Sequence, residues 1–179
     1  MNVNPGAAPQ PKQGKSAVVI IVIILAVVGG CCLTGILAAI AIPNFIKYQS
    51  KSKQGECKVE LRRIYQAQVA YFADKNAYAG DFNALGHTPD ARRYTYFIGM
   101  GAPKGPSLAG TKAVSLDQLP ALAGGNVIGV EGECPDCTFT AACAGNVDSD
   151  ADIDVWSIST AARGSVAAGE VHHDVDDSF

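Results

Sequence analysis

The sequence predicts an α+β protein in which one long, kinked N-terminal helix lies on an antiparallel sheet. Three observations carry that expectation. No charged residue occurs between Ser16 and Ile46. Beyond Pro43 the apolar residues recur at three- and four-residue intervals, the period of a helix with one buried stripe. After about residue 80 that period gives way to short β-branched and aromatic runs separated by Gly and Pro.

The first 16 residues, "MNVNPGAAPQPKQGKS", hold Pro, Gly and Gln with only Lys12 and Lys15 charged. Such a composition buries no core, so residues 1–16 read as a disordered cytoplasmic tail. Residues 17–46 read as a transmembrane helix. About 20 apolar residues cross a bilayer, and a soluble helix of this length carries a polar face, which this one lacks. "VVGGC", ending at Cys31, loosely fits a lipoprotein cleavage site, but "LTGILAAIAI" continues the apolar run unbroken beyond it.

Residues 47–80 read as an amphipathic continuation of the same helix. Pro43 costs it one backbone hydrogen bond and a kink, not its existence. Cys57, Leu61, Ile64, Tyr65, Gln68 and Phe72 fall on one stripe, while Lys53, Lys58, Arg62, Arg63 and Asp74 take other faces. One stripe needs one packing partner, and residues 81–179 supply it as a loop plus an antiparallel sheet. Strand-like runs occupy 94–99, 126–132, 137–147, 154–160 and 165–173. The Pro- and Gly-rich stretch 102–125 has no clear period and reads as a surface loop with a short helical turn near Leu116.

Composition narrows the function. No Gly-x-Ser-x-Gly, phosphate-binding loop or His-Glu-x-x-His string occurs, and His87, His172 and His173 stand beside no nucleophile signature, so the chain reads as non-enzymatic. A net charge of -3, with Arg163 the lone base after residue 131, argues against nucleic acid as a partner. Four of the six cysteines lie beyond the apolar run, which suits an oxidising compartment. That sets the expected topology: a single-pass inner-membrane protein with its N-terminus cytoplasmic and its C-terminal domain periplasmic or extracellular. Lys47, Lys51 and Lys53 at the far end of the span weigh the other way.

The string "GILAAIAIPNF", followed by "IKYQSKSKQGECKVELRRIYQAQVAYFADKNAY", resembles the first helix of bacterial type IV pilins and the related pseudopilins. The resemblance covers residues 35–78. It implies a long bent helix on an antiparallel sheet, and association with other pilin-like subunits through Gly35, Ile36, Leu37, Ala38, Ala39, Ile40, Ala41, Ile42, Pro43 and Phe45. Counting back from Pro43, the family's cleavage glycine is replaced by Ile21 and its aligning glutamate by Ala26. Those departures point to an anchor that stays uncleaved. They also leave open a stand-alone membrane-tethered binding or sensor domain that reuses the fold.

Two constellations remain. "NVDSDADIDVW" places Asn146, Asp148, Asp150, Asp152 and Asp154 at alternate positions, and its ending is similar to the calcium loop of major pseudopilins. Calcium takes six to eight oxygens on a flexible turn, and clustered carboxylates repel without a cation. On a strand the same residues would instead form a solvated face. Cys57, Cys134, Cys137 and Cys143 allow three disulfide pairings. If 137–147 is a strand, Phe139, Ala141, Cys143, Gly145 and Val147 share the face toward the helix stripe that holds Cys57. The expected pairs are Cys57 with Cys143 and Cys134 with Cys137.

Overall fold

The computed structural model describes residues 15–99, 101–147 and 152–177. The expected tail falls almost wholly outside them. Helix α1 runs Lys15–Lys75, through Pro43 without interruption. The chain divides into two compact units, Met1–Phe45 and Ile46–Phe179. Among its described residues the first is helix alone, with its large apolar side chains exposed.

Within the second unit, α1 buries a row spaced four and three residues apart: Ser50, Gln54, Cys57, Leu61, Ile64 and Gln68. That spacing keeps side chains on one helix face. Asn76 takes a left-handed conformation (φ 52°) and its N–H returns to the Phe72 carbonyl, which ends the helix. Gln68 then holds the departing chain. Its amide nitrogen donates to the Ala79 carbonyl at 2.8 Å, and its oxygen accepts from the Ala79 N–H at 2.9 Å. A short helix α2, Phe82–Leu85, is capped by Asp81 and closed by Gly86 at positive φ.

Among the described residues five strands follow: β1 Thr95–Phe97, β2 Gly129–Glu131, β3 Thr138–Gly145, β4 Asp154–Ser159 and β5 Val171–Val175. All pairings are antiparallel, in the order β1-β3-β4-β5, and β2 shares with β1 the edge of β3 that β4 leaves open. The helix-on-antiparallel-sheet architecture is the one expected from sequence. Phe139, Ala141, Cys143 and Val147 pack with Cys57, Leu61 and Ile64 in one core.

Two details differ from the expectation. The last strand lies at Val171–Val175 instead of 165–173, because the chain first turns through an Arg163–Val166 bridge with Gly164 and Gly169 at positive φ. A side chain at Gly169 would also run into the Tyr65 ring, about 3.1 Å from its hydroxyl. The stretch 102–125 is more than a surface loop. Its Val114 and Leu122 cover the second face of the sheet, packing on Phe97, Ala142, Ala144 and Val155. Strand β3 therefore buries both faces, and all but its first residue are buried.

Candidate functional site

Two features outside ordinary packing stand out, an apolar helix surface and a buried carboxylate. On the first unit, Gly35, Ile36, Leu37, Ala39, Ile40, Ala41, Ile42, Pro43 and Phe45 are exposed and Ala38 is half-buried. Polar side chains in the run are satisfied on their own helix: Thr34 Oγ1 donates to the Gly30 carbonyl at 2.8 Å, and Asn44 Nδ2 to the Ile40 carbonyl at 3.0 Å. The surface thus offers only apolar contact. Gly35, Ala38, Ala39 and Ala41 keep it low enough for another helix to approach closely. Among the described residues, α1 is the one helix long and apolar enough to cross a membrane.

Below the span, α1 is fastened to the sheet covalently. Cys57 and Cys143 are disulfide-bonded, their Cα atoms 6.2 Å apart and both residues fully buried. Cys134 and Cys137 form a second, local bridge in the turn before β3, with Cα atoms 4.5 Å apart. Cys31 and Cys32 are free and exposed on the apolar helix.

The acidic loop divides into parts with different surroundings. Asp148 and Asp150 lie outside the described residues. Asp152 is exposed, and its carbonyl accepts from Asn146 Nδ2 at 3.1 Å, tying the two ends of the loop. Asp154, the first residue of β4, is completely buried. Its Oδ2 accepts from the Tyr94 hydroxyl at 2.6 Å and from Trp156 Nε1. Its Oδ1 accepts from Gln54 Nε2 at 3.0 Å and pairs with His173 Nε2 at 2.6 Å. The Asp154 carboxylate is thus fully buried and meets four donors, unlike the exposed Asp152.

The Asp154 cluster ties α1, the segment before β1, β4 and β5 together at one point. Trp156 is stacked flat on His173, ring centroids 3.6 Å apart, and Lys58 Nζ sits 4.0 Å from the indole centroid. Burial, then the Asp154 charge, pushes the Tyr94 phenol far above its usual range. Burial, with the charges of Glu56 and Glu60 adding, does the same to Tyr96. Two further carboxylates on α1 lock the segment ahead of β1. Glu56 Oε1 accepts from the backbone N–H groups of Arg92 (2.9 Å) and Arg93 (2.8 Å), and Glu60 meets His87 at 2.9 Å and Arg63 at 3.1 Å. On β4, the Arg163 guanidinium reaches the Ser157 hydroxyl and carbonyl; burial lowers its pKa against the opposing effect of Asp174.

Gln54, Glu60 and Tyr94 are not among the residues the sequence motifs single out. A signal was present for the first: Ser50 and Gln54 extend the four-three spacing of Cys57 and Leu61 backward, and polar residues on a core stripe mark buried hydrogen bonding.

No protein-family model matches the chain. It is similar to the type IV major pilin protein PilA of Myxococcus xanthus (strain DK1622), with 34% identity over 161 residues, spanning 71% of this chain and 73% of that one.

Proposed function

Because the chain belongs to the type IV pilin family, we propose that it is a subunit whose apolar helix packs with other pilin-type helices and whose sheet domain is displayed outside the cytoplasm. It is a structural protein, not an enzyme, and is membrane-anchored through one helix. The observation that carries the proposal is the contrast along α1. Large apolar residues from Val18 to Ile46 are exposed, whereas Cys57, Leu61 and Ile64 on the same helix are fully buried. A surface of that kind is stable only against lipid or against its own kind. Shearing surface filaments from cells and probing the pellet for this chain tests the reading. Its presence there in stoichiometric amount supports a filament role, and its confinement to the membrane fraction refutes one.

A second reading is favoured by Ile21 and Ala26, which stand where the family's processing glycine and aligning glutamate fall. On that reading the chain remains an uncleaved, inner-membrane, single-pass domain that meets pilus or secretion-type machinery without entering a filament. Intact mass of the membrane-extracted protein separates the two, since a chain beginning at Val22 requires processing. Calcium at the acidic loop belongs to the same proposal: Asp148, Asp150 and Asp152 would hold it, with the Asn146–Asp152 hydrogen bond closing the loop beneath.

A further inference from the structure

We propose that Asp154, His173 and Asp176 form a binding site for a divalent transition-metal ion of the zinc type. One ligand atom from each lies within 4.8 Å of the others. His173 Nε2 is 2.6 Å from Asp154 Oδ1 and 3.8 Å from Asp176 Oδ1, and Gln54 Nε2 spans the two carboxylates at 3.0 and 3.3 Å.

Three features make this more than a cluster of polar groups. The first is charge. Asp154 is fully buried, and none of its four donors, Gln54, Tyr94, Trp156 and His173, carries a permanent positive charge. A buried carboxylate wants a full countercharge, and a divalent ion between Asp154 and Asp176 would bring the site to neutrality.

The second is orientation. Tyr94 and Trp156 hold Oδ2 and leave Oδ1 aimed at His173, while the flat stack on Trp156 fixes the plane of the imidazole. Groups that orient ligands in this way are what metal sites place behind their coordinating atoms. The third is access. Asp176 is exposed and His173 half-buried, so two of the three ligands can be reached from the surface.

The donor set selects the metal. One imidazole nitrogen with two carboxylate oxygens suits zinc or its congeners, whereas calcium takes oxygen alone. Binding replaces the His173–Asp154 hydrogen bond with two metal bonds, and the neutral imidazole coordinates through Nε2 as its Nδ1–H tautomer, the proton moving from Nε2 to Nδ1. The Gln54 amide, once turned to present its oxygen, offers a fourth ligand. His172, the neighbouring residue on β5, points to the opposite face by strand alternation and serves as the control.

The test uses tag-free full-length protein in detergent micelles, stripped with chelator and titrated with cobalt(II). Stoichiometric visible ligand-field absorption is expected, bleached by zinc, with quenching of Trp156, the sole tryptophan. His172→Gln should leave the absorption intact, and His173→Gln should abolish it. Asp176→Asn, at an exposed position, should weaken affinity about tenfold or more. No absorption at stoichiometric cobalt, absorption indifferent to both His173→Gln and Asp176→Asn, or displacement of cobalt by equimolar calcium would overturn the proposal.

Discussion

Replacing Cys57 and Cys143 together by alanine removes the covalent tie between α1 and the middle strand of the sheet, and its effect follows from the chain it closes. The two cysteines are 86 residues apart in sequence, whereas Cys134 and Cys137 are 3 apart. In the chain-entropy account a cross-link restricts the unfolded ensemble by an amount that grows with the logarithm of the closed loop. That gives about 4.5 kcal/mol for the long loop and about 1.6 kcal/mol for the short one. Each kcal/mol is worth about 2–4 °C of melting temperature in a chain of this size. Near-UV circular dichroism of the full chain in micelles should therefore show losses of roughly 9–18 °C for the Cys57/Cys143 double variant and roughly 3–6 °C for the Cys134/Cys137 one. Full burial of Cys57 and Cys143 adds a packing cost in the same direction. Equal shifts for the two pairs, or a larger shift for the local pair, would show that loop length does not set the loss.

Gln68→Ala strands the buried N–H and C=O of Ala79, and the loss should be about 3 kcal/mol by denaturant titration. Alkaline titration should destabilise the domain above pH about 10, because unfolded tyrosines ionise there while Tyr94 and Tyr96 keep their protons. The folded state then binds more protons than the unfolded one, so stability falls as pH rises, by about 1.4 kcal/mol per pH unit for each of the two tyrosines. Tyr94→Phe should remove one share of that slope; an unchanged slope would contradict it. Calcium at millimolar concentration should raise the melting temperature of the wild type, and Asp148→Asn with Asp150→Asn should abolish the rise while leaving cobalt absorption in place.

How far the sequence displayed this molecule depends on where the information is local. Cys57, Leu61 and Ile64 repeat at helical spacing, so the buried face of α1 could be read directly, and alternation across Phe139, Ala141 and Cys143 placed those residues on one face of β3. The cover formed by Val114 and Leu122 was illegible, because residues 102–125 carry no period and their burial comes from contact with a sheet face made elsewhere. Asp154 was the hardest position. An aspartate in an acidic run reads as solvated, and the partners that bury it, Gln54 and Tyr94, stand 100 and 60 residues away in sequence. Only the folded topology brings those donors to one carboxylate.

Photo-crosslinking on the apolar face of α1 tests most directly whether that face packs against other pilin-type helices. A benzophenone amino acid replacing Ile40, an exposed residue of the "GILAAIAIPNF" string, would be irradiated in cells that bear filaments. Crosslinks to a second copy of this chain or to another pilin-type subunit, lost when the probe is moved to buried Leu61, are the predicted result. Crosslinking to lipid alone, in cells whose filaments are intact, would mean that the face meets only membrane.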